Sequence, residues 1–169
     1  MGDRQKNQLF TQVIESHKGL IYKIAHSYVR NPDDRKDLIQ EIVIQLWRSF
    51  DNYDSAYRYS TWIYKIAFNV SISFYRQERR RREVASPMTE HFFNFENEGT
   101  GGDKEAHVNL LYQFISELEE LNKALMLLYL DERSHREMAE ILGISETNVA
   151  TKIGRIKEKL RKRFSIVND

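Results

Sequence analysis

Apolar residues recur at helical spacing along most of the chain, and this pattern constrains the fold more than any other feature of the sequence. No convincing run of alternating apolar and polar residues, typical of a half-buried strand, interrupts it. We therefore expect an all-α fold. A first helical region is predicted up to about Tyr28, with a break near Gly19, and further helices over about 34–50 and 61–82, the last capped by Ser60 or Thr61.

One stretch lacks the helical pattern and divides the chain. Residues 83–106 contain Pro87, three glycines and six acidic residues against one lysine, without a helical period. Such a composition is typical of a linker. We predict two small helical domains, over residues 1–82 and 107–169, joined by an acidic flexible linker over residues 83–106.

The charge of the chain is segregated rather than large. The formal net charge is only +1. Residues 76–82 nevertheless contain five arginines, and residues 152–163 contain seven bases and one acid. Local basic segments of this kind favour contact with nucleic acid, which the net charge alone does not indicate.

Several classes of function are disfavoured by what the sequence lacks. Without cysteine there are no disulfides or thiolate metal sites. The five histidines, at positions 17, 26, 91, 107 and 135, form no metal-ligand pair, and there is no phosphate-binding glycine loop. We expect no enzyme activity, cofactor, metal or small-molecule substrate. The most apolar run, Ala124 to Leu130, is too short to span a bilayer, and the N-terminus has no apolar signal core, so we expect a cytoplasmic protein without membrane insertion.

A helix-turn-helix is predicted near the C-terminus. Ser134 and Glu137 form a capping-box pattern, Gly143 suits the left-handed residue that ends a helix, and Ser145 can cap the next one. In that second helix the inner stripe consists of Val149, Ile153, Ile156 and Leu160. The candidate duplex-binding residues near its start and on its outer side are Ser145, Thr147, Asn148, Thr151, Lys152 and Arg155, with Lys157 flanking them. The alternative is a solvated basic helix that ends a bundle.

The segment "DLIQEIVIQLW" has two different faces. Its predicted core face consists of Leu38, Ile39, Ile42, Val43 and Leu46. The opposite side carries Asp37, Gln40, Glu41, Ile44 and Trp47. An aliphatic residue and a tryptophan among acids and amides predict a docking face for a partner helix. Isolated exposed apolar residues are the alternative, and they need no functional explanation.

The segment "YSTWIYKIAFNVSISFYR" combines aromatic, amide and cationic residues. Its predicted buried stripe is Ile63, Ile66, Ala67, Val70 and Phe74. Beside the stripe and in the preceding loop lie Tyr53, Tyr57, Arg58, Tyr59, Trp62, Lys65, Asn69, Ser73 and Arg76. Aromatic rings interleaved with cations and amides bind unpaired bases by stacking and phosphate contact. The alternative is that Trp62 fills the edge of the core and the tyrosines cover loops.

The order of "DLIQEIVIQLW", "YSTWIYKIAFNV", a basic run, a linker and "EMAEILGISETNV" resembles the sigma-70 family. More narrowly it resembles the extracytoplasmic-function (ECF, group 4) sigma factors, which keep only conserved regions 2 and 4. The resemblance covers both predicted domains. It implies a bacterial transcription initiation factor that binds core RNA polymerase and directs it to promoters, by recognising −35 duplex DNA and by recognising and melting the −10 element.

The resemblance also implies residue roles and partners. Docking on the clamp coiled coil of the polymerase is implied for the stretch with Asp37, Leu38, Gln40, Glu41, Ile44 and Trp47. Trp62, Lys65, Asn69 and Ser73 correspond to −10 recognition, and the loop from Tyr53 to Ser60 to a pocket for an extruded base. Contact with the polymerase flap is implied for the helix that contains Leu125, Leu127 and Leu128. The −35 residues are Thr147, Asn148, Thr151, Lys152 and Arg155. Anti-sigma factors, some of them membrane-bound, commonly inhibit members of this family.

Four positions depart from the common family pattern. Leu121-Asn122 replaces leucine-proline, Phe68 a frequent arginine, Ser73 a frequent aspartate and Asn148 the usual threonine. The promoter sequence therefore does not follow from the resemblance. Two other functions fit the pattern of helices: a stand-alone helix-turn-helix regulator with an N-terminal sensing or dimerisation domain, and a helical adaptor that binds only proteins.

Overall fold

The computed structural model describes residues 2–85 and 102–167, which form seven α-helices and no strand. The helices are α1 (Asp3–Tyr28), α2 (Pro32–Ser49), α3 (Tyr59–Ala85), α4 (Asp103–Ser116), α5 (Glu120–Leu130), α6 (His135–Leu142) and α7 (Glu146–Val167), with a 3₁₀ turn at Phe50–Asn52. They divide into two compact units, built mainly from α1–α3 and from α4–α7. The all-α prediction is confirmed.

The linker prediction falls mostly outside the described residues. Residues 86–101 of the predicted linker lie outside the described residues. At its two ends, α3 continues to Ala85 and α4 begins at Asp103, so helix extends into both edges of the predicted linker. The domain boundaries at residues 82 and 107 stay predictions.

The first two helices differ from the sequence prediction in detail. The predicted break near Gly19 is wrong, because α1 is continuous and buries Val13 before that glycine and Ile21 after it. Gly19 itself is exposed, and one glycine costs a helix only about 1 kcal/mol. Helix α2 begins at Pro32, because the Asn31 side chain caps it by accepting hydrogen bonds from the amides of Asp33 and Asp34, at 2.9 and 3.2 Å.

The core of the N-terminal unit lies between the apolar faces of its three helices. In α2, Leu38, Ile42 and Leu46 are fully buried, as predicted, while Ile39 and Val43 are half-buried. Helix α3 begins at Tyr59, so Ser60 and Thr61 lie in its first turn and do not cap it.

The buried stripe of α3 is rotated from the predicted position. Ile63 and Ala67 are buried as expected, but the neighbouring buried residues are Tyr64, Phe68 and Ser71. The residues expected beside them, at positions 66, 70 and 74, are only half-buried. The reason is aromatic packing: the Tyr64 and Phe68 rings stack at 5.8 Å between centroids, and Tyr28 of α1 meets Phe68 edge-on at 6.4 Å.

The turn in the C-terminal unit follows the local signals of the sequence. The Ser134 amide donates to the Glu137 carboxylate at 2.8 Å, and the Glu137 amide donates to the Ser134 hydroxyl at 3.1 Å. These two bonds form the predicted capping box. Gly143 has a φ of +68°, in the left-handed region, and the Asn148 amide donates to the Ser145 hydroxyl at 3.1 Å. The predicted caps and turn are confirmed.

The capping box also has an electrostatic effect. The hydrogen bond from the Ser134 amide, together with Arg133, lowers the pKa of the Glu137 carboxyl, whereas its partial burial acts in the opposite direction. A lowered pKa stabilises the fold above the ordinary glutamate value, and this stabilisation is lost as the pH falls through the lowered value. The start of α6 is therefore expected to loosen in acid.

Ser134→Ala is expected to destabilise α6 by about 1 kcal/mol, because the Glu137 amide loses the acceptor that caps it. Amide hydrogen exchange over residues 134–142 measures this local change. The matched control is Ser165→Ala, which removes an exposed hydroxyl bonded to the Lys162 carbonyl far from the turn. Equal protection of residues 134–142 in both variants would contradict the expected role of the cap.

Candidate nucleic-acid and partner interfaces

Three aromatic side chains form a cluster where the loop after α2 joins α3. The Tyr53 and Tyr59 rings are stacked, with centroids 4.4 Å apart and planes 17° from parallel. The Trp62 ring meets Tyr53 at 5.4 Å and Tyr59 at 6.4 Å, both edge-on. We call Tyr53, Tyr59 and Trp62 the aromatic cluster. It places three of the predicted base-binding residues in one contiguous surface.

A side-chain hydrogen bond from Tyr53 stabilises the loop before α3. The Tyr53 hydroxyl donates it to the carbonyl of Tyr57, and the Ala56 amide donates to the Asp54 carboxylate at 2.9 Å. Burial raises the pKa of Tyr53, with Tyr59 and Asp54 adding to the effect. The phenol therefore stays protonated at neutral pH and remains a donor.

The polar residues predicted to accompany the cluster are exposed. On α3 these are Lys65, Asn69, Ser73 and Arg76, and in the loop they are Tyr57 and Arg58. Trp62 itself is half-buried: its ring packs against Phe50 at 5.9 Å, and part of it remains accessible. Base contact by the accessible part stays a prediction. The α3 positions are three or four residues apart, which places them along one side of the helix.

Docking by the outer side of α2 stays a prediction, and the two apolar residues predicted for it differ in exposure. Asp37, Gln40 and Ile44 are exposed, and the Ile44 side chain keeps 43% of its accessible surface. Trp47 is half-buried, because its ring meets Phe10 of α1 edge-on at 5.1 Å. Ile44 is therefore the exposed apolar residue of this face.

Leu38 differs from the other residues of the docking prediction. Its accessible surface is 0%, so it supports the face from beneath and does not form part of it. Within the docking stretch, Leu38 can therefore support the exposed residues but cannot touch a partner in this conformation.

A groove of about 680 Å³ runs between α2 and α3 within the N-terminal unit. Its lining residues are Asp37, Glu41, Gln45 and Ser49 from α2, and Ile66, Asn69, Val70, Ser73, Phe74 and Gln77 from α3. Two residues predicted to dock a partner, Asp37 and Glu41, thus lie beside two predicted to contact DNA, Asn69 and Ser73.

Apolar side chains line this groove together with acids, amides and hydroxyls. Gln45 donates a hydrogen bond to the Glu41 carboxylate at 2.7 Å. The sequence did not identify Gln45 and Gln77 as residues of this groove. The signal for Gln45 is present, because residues 37, 41, 45 and 49 are four apart and lie on one side of α2. Since the ionisable groups of the lining are both acidic, the groove does not attract phosphates, which favours a role for its α2 side in protein contact.

The outer side of α7 has the layout expected of a duplex-reading helix. Val149, Ile153 and Ile156 are buried, and Leu160 is half-buried. On the other side Ser145, Thr147, Asn148, Thr151 and Arg155 are exposed, and Lys152 is half-buried. Lys157 lies over the Tyr129 ring of α5 at 5.1 Å, so it is partly engaged within the unit.

Helix α5 does not present the leucines predicted to touch the flap. Leu125, Leu127 and Leu128 are all buried in this structure, and the exposed large apolar residues of α5 are Tyr129 and Leu130. The flap contact stays a prediction, and the accessible end of α5 is the part that fits it.

Among residues 2–85 and 102–167 no helix is both long and apolar enough to cross a membrane. Within the same ranges no group of three or more histidine, aspartate or glutamate side chains is placed to hold a metal ion.

The chain matches two models of one family. The model described as Sigma-70 region 2 matches residues 13–81, and the model described as Sigma-70, region 4 matches residues 109–160. Among its relatives, the ECF RNA polymerase sigma factor SigW of Bacillus subtilis is 28% identical over 92% of this chain and 88% of its own length. RNA polymerase sigma factor SigV of the same organism is 28% identical over 90% and 89%.

Solved structures share the fold. The structure of sigma factor RpoE in complex with the anti-sigma factor NepR from Bartonella quintana superposes with a TM-score of 0.71 at 19% identity, covering 93% of this chain and 97% of that one. The structure of CnrH with the cytosolic domain of CnrY has a TM-score of 0.66 at 19% identity, covering 95% and 90%.

The matches to region 2 and then region 4, over the two helical units, place the chain in a class of promoter-recognising transcription initiation factors. The chain belongs to the sigma-70 family, as an RNA polymerase sigma factor of the extracytoplasmic-function type. Core RNA polymerase and promoter DNA are accordingly its partners. The alternative of a stand-alone regulator is not favoured.

Proposed function

We propose that the two units act on two parts of a promoter while the polymerase holds them. The exposed face of α2 docks on the clamp coiled coil, the aromatic cluster takes up unpaired bases of the −10 element, and the outer side of α7 reads the −35 duplex. The supporting observation is the stacked aromatic cluster beside the exposed cation and amide of Lys65 and Asn69. Stacking rings beside cations and amides suit single-stranded DNA.

Neither surface is expected to be sufficient alone. Extrusion of a base from closed duplex costs a few kcal/mol, so the aromatic cluster has no ligand until the duplex opens. A single short helix-turn-helix makes few phosphate contacts and binds weakly at physiological salt. The polymerase raises the effective concentration of each surface at its own element. The chain itself has no catalytic part in this proposal.

Reconstitution with bacterial core RNA polymerase tests the proposal. The holoenzyme is incubated with a library of randomised promoters, and initiated transcripts are sequenced. Polymerase-dependent selection of a two-part sequence supports the proposal. Tight, selective binding of one duplex site by the chain without polymerase would favour a stand-alone regulator, and failure to associate with core polymerase would exclude the proposal.

We also propose control by an anti-sigma factor in the cytoplasm. Both structural neighbours above are complexes, one of them with a protein named as an anti-sigma factor. An inhibitor of this kind would cover the α2 face or the α7 face. The chain purified from its host before and after induction checks this: exchange of a bound inhibitor for core polymerase is the expected result, and unchanged polymerase occupancy contradicts it.

Arg155→Ala is expected to weaken −35 binding, because one exposed guanidinium is removed. The slope of log K against log salt concentration, for promoter binding by the holoenzyme, is expected to fall by about one. Promoter affinity measured at several salt concentrations gives the slope. The matched control is Arg161→Ala, six residues further along α7, whose guanidinium pairs with Glu158 at 3.0 Å. Equal slopes for both variants would mean that the basic helix binds without a defined face.

A further inference from the structure

The first turns of α1 contact the loop that carries the aromatic cluster. Residues 3–12 precede the matched region 2, which begins at residue 13. Phe10 nevertheless lies between two rings of that region: it meets Trp47 edge-on at 5.1 Å and Phe50 edge-on at 5.2 Å. A part of the chain outside the matched region is thus in contact with the 3₁₀ turn at Phe50–Asn52.

The contacts continue from that turn to the aromatic cluster. Phe50 is buried and meets the Trp62 ring at 5.9 Å. The contiguous rings, in order, are Trp47, Phe10, Phe50, Trp62, Tyr53 and Tyr59. Edge-on and stacked pairs of this kind are directional, so each ring restricts the orientation of the next. Phe10 occupies the second position and links α1 to the loop.

Lys6 fixes the same turn by its charge. Its ammonium lies 2.6 Å from the Asp51 carboxylate and 4.4 Å from the centre of the Trp47 ring. The lysine side chain keeps only 17% of its accessible surface, an unusual degree of burial for this residue type. Lys6 therefore holds the 3₁₀ turn to α1 through Asp51, and it contacts the last turn of α2 through the Trp47 ring.

We propose that Lys6 and Phe10 are positioning residues for the capture of an unpaired promoter base. The inference rests on the proposed function of the aromatic cluster. The loop between Ser49 and Tyr59 joins α2 to α3 and contacts Trp62 of α3, and α1 provides a further point of attachment at Phe50 and Asp51. A loop fixed before binding avoids the entropy loss of ordering it on the DNA. The two residues act through the aromatic cluster and need not touch DNA.

The test measures binding of unpaired DNA to the holoenzyme. The probe is a fluorescent 12-nucleotide single strand that the wild-type holoenzyme selects from a random pool. Lys6→Met, which keeps the aliphatic stem, is expected to weaken probe binding about fivefold. Phe10→Leu, which keeps apolar volume, is expected to weaken it about tenfold. Because Lys6 and Phe10 also contact Trp47 of the docking stretch and Phe10 is buried, probe binding is measured on assembled holoenzyme, well below the melting temperature of each variant.

Two matched controls lie on the same helix. Lys18→Met removes an exposed pair with Glu15 at 3.0 Å, and Leu9→Ala removes an exposed apolar side chain next to Phe10. Both are expected to bind the probe like the wild type. Lys6→Arg keeps the charge and is expected to restore most of the affinity that Lys6→Met loses.

Combination with Trp62→Ala separates positioning from general support of the fold. If Lys6 and Phe10 act through the aromatic cluster, their substitution has no further effect once Trp62 is absent. Additive losses, or losses no larger than those of the controls, overturn the inference. A probe affinity unchanged by Trp62→Ala itself would instead overturn the proposed function of the cluster, so the two failures are distinguishable.

Discussion

Trp62→Ala should slow promoter opening by about 10- to 100-fold, because a base stacked on an aromatic ring loses roughly 1–3 kcal/mol when that ring is removed. Trp62 meets both Tyr53 and Tyr59 edge-on, so its loss also removes the neighbour that orients the stacked pair. Assembly with core polymerase should stay near the wild-type level, since the exposed face of α2 is unchanged. The opening rate is followed with 2-aminopurine placed in the −10 element.

Two controls make this result specific. Tyr22→Ala removes an exposed aromatic residue of α1, outside the aromatic cluster, and should open promoters normally. Trp62→Phe keeps a ring and should recover much of the rate. The alternative interpretation of Trp62, as a residue that only fills the edge of the core, predicts a lowered melting temperature with normal opening by the folded fraction. That outcome would contradict base capture.

The helix-turn-helix could be predicted closely because its signals are local. The reciprocal bonds of Ser134 and Glu137 span three residues, and so does the bond from the Asn148 amide to Ser145. The left-handed backbone at Gly143 is a property of one residue. Interactions between residues so close in the chain depend on residue type and spacing, and both can be read from the sequence.

The rotation of α3 shows where local reasoning is insufficient. The apolar spacing within α3 predicts a stripe through positions 66, 70 and 74. The structure instead buries Tyr64 and Phe68, and Tyr28 from another helix packs against Phe68. Two adjacent stripes of one helix were both apolar enough to be buried. The packing of α1 decides between them, and periodicity within α3 carries no information about that partner.

The same limit applies to the N-terminal contacts. Lys6 and Asp51 are 45 positions apart, and neither lies in a motif that signals the other. Trp47 could be recognised as a residue at an interface, but the sequence does not show that Phe10 and Lys6 already cover part of its ring. The exposed share of an aromatic residue depends on neighbours that only the folded chain identifies.

Ile44→Glu should weaken binding to core polymerase about 30-fold or more, the effect of losing a central interface residue. Ile44 is the exposed apolar residue of the α2 face, and the acids and amides of that face surround it. Burial of a new, unpaired carboxylate against the partner adds a desolvation penalty. Because the side chain is already exposed in the free protein, the substitution should change folding stability little.

The measurement is a titration of the fluorescently labelled chain with core polymerase, followed by anisotropy. Leu9→Glu is the matched control: it places the same charge at an exposed apolar position of the same unit, on α1. Ile44→Ala, which removes apolar area without adding charge, should fall between wild type and Ile44→Glu. If Ile44→Glu and Leu9→Glu bind core polymerase equally well, the α2 face is not the docking surface, and the exposure of Ile44 is the ordinary exposure of a single apolar residue.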